Sequence, residues 1–247
     1  VYSYDGTTWE QLGADIDGEA EDDRSGNSVS LSSDGLTLAV GAPFNAGNGN
    51  DSGHVKVYEY IGTAWMQKGA KIGGEAADDY SGYSVSLSSD GLTLAVGTPE
   101  NDDNGDDSGH VRVYSYNGTA WNQLGEDIDG EAAEDYSGES VSLSSDGLTL
   151  AVGANGNDGN GDKSGHVRVY SYNGTAWTQK GADIDGEAAG DVSGFSVSLS
   201  SDGLTLAVGA YANDDNGEDS GHVRVYSYNG TTWIQKGADI NGEAAED

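Results

Sequence analysis

Apolar and polar residues alternate with a period of two along most of this chain. In residues 84–96, valine or leucine occupies alternate positions on both sides of a Ser-Ser-Asp-Gly segment. In residues 110–121, Val111 and Val113 alternate with polar and aromatic residues ahead of an Asn-Gly pair. This alternation predicts half-buried β-strands, and Asp-Gly and Asn-Gly pairs predict tight hairpin turns. The two stretches therefore predict two β-hairpins, whose strands we label a, b, c and d.

The same two hairpins recur every 56 residues. The residues that mark the repeat fall in register: Trp9, Trp65, Trp121, Trp177 and Trp233, and His54, His110, His166 and His222. We divide the chain into a half-unit of strands c and d, 1–23, and four full units, 24–79, 80–135, 136–191 and 192–247. Residues 1–23 closely repeat residues 225–247. One unit cannot bury its own apolar residues, so neighbouring units must cover one another.

These features predict an all-β fold of tandem four-stranded antiparallel units. No segment has sustained helical periodicity, and 40 glycines with 2 prolines suit many turns. Tandem four-stranded units of roughly this length are typical of β-propeller blades. A ring of four blades would leave the half-unit unused, and a ring of five would lack one a–b hairpin. Two arrangements stay open, a closed propeller and an open or filamentous array of blades.

Residues 193–210, SGFSVSLSSDGLTLAVGA, with the later SGHVRVYSY, resemble the FG-GAP repeat of integrin-α-like propellers. In that repeat a Gly-x-Ser-Val strand leads to a Leu-Ala-Val-Gly-Ala-Pro strand and then to a Gly-x-Val-x-Val-Tyr strand. The resemblance covers every unit and implies one propeller blade for each. The chain departs from the family pattern, because serine replaces the phenylalanine of the first signature and only Gly41-Ala42-Pro43 completes the last one. The family's calcium loop between strands a and b is here a short SSDG turn, so the resemblance implies no calcium at that position.

The chain is strongly acidic. Its 247 residues include 43 Asp and Glu against 10 Lys and Arg, a formal net charge of −33. A polyanion is repelled by nucleic acid and anionic lipid and attracts cations. We therefore expect no nucleic-acid partner, and no membrane insertion because no apolar run is long enough to span a bilayer. The absence of cysteine excludes disulfides and thiolate metal sites.

Most of the acids fall in the b–c and d–a connections, which lie at the same end of an antiparallel unit. The a–b and c–d turns lie at the other end, so we expect Asp106 and Asn117 at opposite ends of a blade. Carboxylate and amide oxygens are the ligands of Ca²⁺, which is the cofactor that this pattern suggests. The candidate ligands are Asp102, Asp103, Asn104, Asp106, Asp107, Asp158, Asn160, Asp162, Asp214, Asp215, Asn216, Glu218 and Asp219. The alternative is a solvated acidic surface without specific ions.

The repeated histidines and tryptophans are interpreted as structural. Identical histidines make equivalent sites, whereas a catalytic centre needs unlike groups in one pocket. We expect each histidine to pack at the start of strand c, where a nearby carboxylate would favour its protonated form. The tryptophans are expected to pack between units, with a sugar-stacking platform as the alternative. No nucleophile elbow, phosphate-binding loop or zinc-type spacing occurs, so we expect the protein not to be an enzyme.

Four asparagines form N-glycosylation sequons: Asn50, Asn117, Asn173 and Asn229. Asn-Gly is also the pair that a type I′ hairpin turn requires. Glycosylation and turn formation both stay open at this stage.

The leading hypothesis is an extracellular structural or adhesive protein. Near-identical units favour head-to-tail self-assembly into a fibre or surface array, with divalent cations neutralising the acidic end. The first alternative is a multivalent carbohydrate- or protein-binding propeller that resembles lectins or integrin heads, with glycans as partners. The second is a non-catalytic propeller attached to a secreted enzyme.

Overall fold

Residues 1–245 are described by a computed structural model, in which they form strands, turns and loops and no helix. The described chain has no helix with the length and apolarity needed to cross a membrane. The all-β prediction is confirmed.

The strands fall into one short hairpin and four sheets, which we call blades 1 to 4. The half-unit forms β1 (Tyr2–Tyr4) and β2 (Trp9–Gln11). Blade 1 consists of β3 (Ser28–Leu31), β4 (Thr37–Ala42), β5 (His54–Tyr60), β6 (Trp65–Gln67) and β7 (Ile72–Gly73). Blade 2 consists of β8 (Ser84–Leu87), β9 (Thr93–Thr98), β10 (His110–Tyr116), β11 (Trp121–Gln123) and β12 (Ile128–Asp129). Blade 3 consists of β13 (Ser137–Leu143), β14 (Thr149–Ala154), β15 (His166–Tyr172), β16 (Trp177–Gln179) and β17 (Ile184–Asp185). Blade 4 consists of β18 (Ser196–Leu199), β19 (Thr205–Ala210), β20 (His222–Tyr228), β21 (Trp233–Gln235) and β22 (Ile240–Asn241).

Each blade is an antiparallel meander of strands a, b, c and d, as the alternation predicts. In blade 2 the register pairs Val85 with Val96 and Leu87 with Leu94. One strand lies outside the two predicted hairpins, because Ile128 and Asp129 follow strand d. They form β12, which pairs with the start of β10 beside β11. Strand d is therefore interrupted rather than ended, and it runs on to the far end of strand c.

The two ends of a blade differ as predicted. At one end, which we call the turn end, the amide of Tyr116 donates to the carbonyl of Leu92, so the a–b and c–d turns lie together. At the other, the acidic end, the side-chain amide of Asn104 donates to the carbonyl of Gly130 at 2.7 Å, joining the b–c and d–a connections. Asp106 and Asn117 consequently lie at opposite ends, which confirms the expected segregation of the acids.

The blades are held together by apolar faces. The face of a blade that meets the preceding blade, its leading face, carries in blade 2 the side chains of Val85, Leu87, Leu94, Val96, Tyr114 and Trp121. The opposite, trailing face of blade 1 carries Ala39, Val55, Val57 and Ile72, and the two sets form one cluster. The same cluster recurs between blades 2 and 3 and between blades 3 and 4. Trp121, Trp177 and Trp233 therefore pack between units, as expected, whereas Trp9 of the half-unit is 69% exposed.

Hydrogen bonds between neighbouring blades fix the register of this stacking. The indole of Trp121 donates to the carbonyl of Lys68 in the preceding blade at 2.8 Å, and the Ser84 hydroxyl donates to the carbonyl of Gly138 in the following blade at 2.7 Å. At the turn end, the amide of Ser89 donates to the carbonyl of Ser145. The same bonds recur between the next pair of blades, from Trp177 to Leu124 and from Ser140 to Gly194, so the register between blades repeats with the unit.

The stack is open among the described residues. The inner strands pack in sequence, β3 on β8, β8 on β13 and β13 on β18. Val29 and Leu31 on the leading face of blade 1 stay exposed, so the ring is not closed. The half-unit occupies the position of a preceding blade, because Trp65 donates to the carbonyl of Leu12 as Trp121 does to Lys68.

We expect the Gly97→Ala variant to lose about 1–3 kcal/mol of stability, the usual effect of overpacking. A Cβ at Gly97 would clash with the carbonyl of Gly138 in the next blade and with the Ser84 hydroxyl. Among the described residues no blade follows the equivalent Gly209 in blade 4, and a Cβ there would meet only the Ser196 hydroxyl at such short range. Thermal unfolding of both variants checks this. Equal losses for Gly97→Ala and Gly209→Ala would contradict the tight blade-to-blade contact.

Candidate functional site

The acidic end is shaped by aspartates that close the b–c loops. The Oδ1 atom of Asp102 accepts the amide of Asp107 at 2.8 Å. The equivalent bonds in blades 3 and 4 are Asp158 to Lys163 and Asp214 to Asp219. These first-position aspartates therefore have a structural role in the loop, whether or not they also bind cations.

The loop asparagines connect the b–c loop to the d–a connection. Asn104, Asn160 and Asn216 each donate their side-chain amide to two carbonyls of that connection. Their Oδ1 atoms are not used in these bonds. The exposed acids of the loops include Asp106, Asp162 and Glu218. For this group of predicted ligands, calcium binding stays a prediction.

Crowding at the acidic end acts on several carboxyls. Burial, followed by repulsion from Asp107, raises the pKa of Glu100 above its ordinary value. Burial, followed by repulsion from Asp106 and Asp102, raises the pKa of Asp107. Both acids are thus held in a field that opposes their ionisation, which is the situation that a bound cation would relieve.

The histidines lie at the first position of strand c and are buried in every blade, as expected. The expected protonation of His54, His110 and His166 is wrong. Burial, followed by the nearby Arg112, lowers the pKa of His110, and burial lowers the pKa of His54 and of His166 as well. Loss of hydration outweighs the attraction of the neighbouring carboxylates, so these imidazoles are neutral at pH 7.

An ion-pair bridge beside each histidine was missed. In blade 2 the guanidinium of Arg112 binds Asp127 through Nε at 2.9 Å and Nη2 at 2.7 Å, and it also contacts Glu75 of blade 1. Arg168 and Arg224 make the same pairs in blades 3 and 4. The arginine alternates with Val111 and Val113 along strand c, so its position on the opposite face of the sheet was predictable. Its partner in the preceding unit was not.

Around these arginines, histidine and carboxylate ligand atoms come within 4.8 Å of one another in three of the described blades. The members of these histidine clusters are Glu75, Asp103, His110 and Asp127; Glu131, His166 and Asp183; and Glu187, Asp215, His222 and Asp239. Groups with this spacing have the geometry to hold a metal ion. Of the predicted calcium ligands, only Asp103 and Asp215 belong to them.

The sequon asparagines of the c–d turns shape those turns. Asn117 Oδ1 accepts the amides of Thr119 at 2.9 Å and Ala120 at 3.0 Å, and Asp5 accepts the equivalent pair in the half-unit. Asn117, Asn173 and Asn229 are exposed at the turn end. Asn50 lies instead in a b–c loop and donates to Asp51 and Asp78. A turn forms at each position, but it is not of type I′, because Asn117, Asn173 and Asn229 lack the positive φ which that turn requires. Glycosylation stays a prediction.

Comparison with known proteins agrees with this architecture. The sequence model of the FG-GAP repeat matches the chain over residues 14–58, 73–114, 128–170 and 182–226, which is more than half of its length. No curated protein sequence is significantly similar to the chain.

Solved structures with the same fold include two bacterial proteins. The periplasmic gluconolactonase of Pseudomonas aeruginosa has a TM-score of 0.61 and 19% identity, with 97% of this chain and 62% of that chain covered. The hydrazine synthase of Kuenenia stuttgartiensis has a TM-score of 0.56 and 16% identity, with 92% and 53% covered. The chain thus spans less than two thirds of either neighbour, and at these identities the likeness concerns the fold alone.

The expectation that the protein is not an enzyme is contradicted by these neighbours. Both are named as enzymes, so this fold supports catalytic sites. The motifs whose absence led to that expectation, a nucleophile elbow and a phosphate-binding loop, belong to other folds. Their absence therefore says nothing about catalysis on a propeller-type scaffold.

We expect the Glu139→Gln variant to be more stable than the unmodified chain at pH 7. Burial raises the pKa of Glu139, with repulsion from Glu100 adding to the effect, so its ionised form opposes folding. A raised carboxyl pKa disfavours the folded state above that pKa, and the effect disappears below the unfolded-state pKa near 4. Thermal unfolding should therefore show a gain at pH 7 that shrinks towards pH 4.

Asp34 at the turn end is the matched control of opposite sign. Hydrogen bonds from the Ser32 hydroxyl and the Leu36 amide lower the pKa of Asp34. Its contribution is present above the unfolded-state pKa and is lost as pH falls through the folded one. Asp34→Asn should thus destabilise at pH 7, and a shift of the same sign in both variants would rule out this account.

Proposed function

This chain belongs to the FG-GAP repeat family, and we propose that it is an extracellular structural or adhesive protein whose blades associate head to tail into a fibre or surface array. One observation carries the proposal. The two ends of the stack expose the same apolar faces that neighbouring blades cover everywhere inside it.

The leading face of blade 1 is the first of these surfaces. Leu31 is 47% exposed, whereas the equivalent Leu87 is 7% exposed, and Val29 is 61% exposed. The half-unit covers only the outer part of this face, through Leu12 and Trp65. Between the half-unit and strands β3 and β4 lies a cleft of about 540 Å³. It is the space that the a–b hairpin of a preceding unit fills elsewhere in the stack.

The trailing face of blade 4 is the second surface. Val223 is 38% exposed and Ile240 is 62% exposed, whereas the equivalent Val167 and Ile184 are 0% and 6% exposed. Each fully buried valine or isoleucine contributes about 1.5–3 kcal/mol. Burying this face against another blade would therefore stabilise the contact by the same hydrophobic effect that joins the internal blades.

The two surfaces are complementary because the chain already contains three copies of the contact between them. A trailing face that meets a leading face is a heterologous contact, which repeats without limit unless a rotation closes it. A second copy of the chain can thus add at either end. Every b strand is already paired on both sides within its own blade, and the half-unit occupies the c–d part of the position before blade 1. We therefore propose that the half-unit moves aside when the partner's trailing face covers Val29 and Leu31.

The extracellular location is supported by the integrin-α-like character of the repeats and by the periplasmic location named for one structural neighbour. Divalent cations are proposed as counterions of the acidic end. The net charge of −33 would otherwise oppose close stacking of chains, because like charges repel across each new contact.

We expect charged substitutions on either surface to stop assembly. Val29→Glu blocks the leading face and Ile240→Glu blocks the trailing face, and both residues are exposed, so the fold is retained. Each variant alone should be monomeric by light scattering. Because each keeps one intact surface, an equal mixture should form a one-to-one dimer and no longer species.

Ile61→Glu is the matched control for these variants. Ile61 is 60% exposed in the c–d turn of blade 1, away from both faces, so the substitution adds the same charge without touching a contact. It should assemble like the unmodified chain. A monodisperse monomer of the unmodified chain at micromolar concentration in calcium would overturn the proposal and favour the multivalent binding module.

We expect Ca²⁺ to raise the midpoint of thermal unfolding. An ion that binds only the folded state adds RT ln(1 + [L]/Kd) to its stability. The measurement compares EDTA with millimolar Ca²⁺ at matched ionic strength, with the monomeric Val29→Glu variant used to separate binding from assembly. An unchanged midpoint would mean that the acidic end is only solvated.

A further inference from the structure

The four histidine positions lie in surroundings that differ from blade to blade. In blade 2, His110 faces Glu75, Asp103 and Asp127, and blade 4 repeats this set with His222, Glu187, Asp215 and Asp239. Blade 3 has Gly159 at the position of Asp103. Blade 1 has Gly47 at that position and Lys71 at the position of Asp127. The same pocket therefore occurs in all four blades, with three different sets of side chains.

In blades 2 and 4 a buried imidazole nitrogen without a hydrogen-bond partner lies beside the carboxylates of the cluster. His110 is 1% exposed, and its Nδ1 atom has no hydrogen-bond partner among the described residues. It lies 3.8 Å from an Asp103 carboxylate oxygen. His222 has a side chain 3% exposed, an equally unpartnered Nδ1, and a distance of 4.0 Å to a Glu187 oxygen. A buried polar atom left unpaired keeps the full cost of its lost hydration, so a ligand at this point would remove that penalty.

The net charge of the pocket also differs between blades. Three carboxylates and one arginine leave two negative charges in blade 2 and in blade 4. Glu131, Asp183 and Arg168 leave one in blade 3. In blade 1, Glu19 lies 2.6 Å from Lys56 and 3.4 Å from Lys71, which leaves one positive charge. His54 there also has an unpartnered Nδ1, but lysine replaces the acid beside it. Only blades 2 and 4 match the charge of a divalent cation.

The ligand set selects the class of metal. Calcium takes oxygen ligands, whereas a neutral imidazole with carboxylates suits first-row transition ions such as Zn²⁺ and Co²⁺. Ligand atoms sit about 2.0–2.2 Å from Zn²⁺. Atoms within 4.8 Å of one another therefore reach a common ion after side-chain movements of about an ångström. Arg112 pairs with Asp127 through two nitrogens and with Glu75 through one, so Asp103 is the free carboxylate and Glu75 gives up fewer contacts than Asp127 to reach the ion.

We propose that the chain binds two divalent transition-metal ions, one in blade 2 and one in blade 4. The ligands are Nδ1 of His110 with Asp103 and Glu75, and Nδ1 of His222 with Asp215 and Glu187. Glu75 belongs to the unit before His110, and Glu187 to the unit before His222, so each ion ties neighbouring blades together. This site shares Asp103 and Asp215 with the predicted calcium ligands of the loops but differs from them in its histidine ligand, and it does not depend on assembly.

The test is equilibrium dialysis of the chelator-treated protein against Co²⁺, with the bound metal measured directly. Two ions per chain are expected, and Zn²⁺ should displace them while Ca²⁺ at the same concentration should not. Asp103→Gly and Asp215→Gly should each weaken one site at least about tenfold. Glycine occupies the same position in blades 1 and 3, so both variants fold. Asp106→Gly, which removes an exposed acid of the same loop outside the cluster, is the matched control and should retain both sites.

A second readout shows whether the imidazole is a ligand. On addition of Zn²⁺, the ¹⁵N resonance of Nδ1 should move for His110 and His222 and stay in place for His54 and His166. The Val29→Glu variant should bind the same two ions, so loss of assembly and loss of metal are distinguishable. Any stoichiometry other than two, an unchanged Nδ1 resonance, or equal displacement by Ca²⁺ would overturn the proposal.

Discussion

The structure depends on one constraint, which is that every blade is apolar on both sides. A four-stranded sheet with valines and leucines alternating to both faces cannot be stable alone in water, because both faces need cover. Inside the stack each face is covered by the neighbouring blade, and Leu94, Leu150 and Leu206 are completely buried as a result. Each unit therefore depends on contacts with its neighbours for stability. The outer faces of blade 1 and blade 4 lack part of these contacts.

The position of the charges follows from the same constraint. Faces used for stacking have little room for carboxylates, so most of the acids lie in the connections at one end of the blades. Arginine appears there at one position per unit in blades 2 to 4, where it joins an acid of its own blade to one of the preceding blade. Half-buried pairs of this kind fix geometry more than they add stability, since desolvation opposes the attraction. They set the spacing of the acidic loops.

Local features were predictable from the sequence, and features that depend on partners far along the chain were not. The hairpins follow from alternation and turn residues, and the direction of Val111 and Val113 follows from the period of two. The strand β12 was missed because two residues carry too short a pattern to show pairing. The neutral histidines were missed because burial is set by the whole fold, whereas sequence shows only the nearby acids. The partner of Arg112 lies 37 residues away, and no local pattern identifies it.

Differences between units are therefore informative where they occur. Stacking requires each face to match the next, so a change on a face must be accommodated by its neighbour. A change at the acidic end has no such requirement, and the units do differ there, with Gly47, Gly159 and Lys71 in place of aspartates. A repeat of this kind can keep one scaffold contact constant while its pockets vary from blade to blade. The histidine clusters are buried like the stacking faces, and they vary between units like the acidic end. A ligand site that differs between otherwise uniform blades requires both properties.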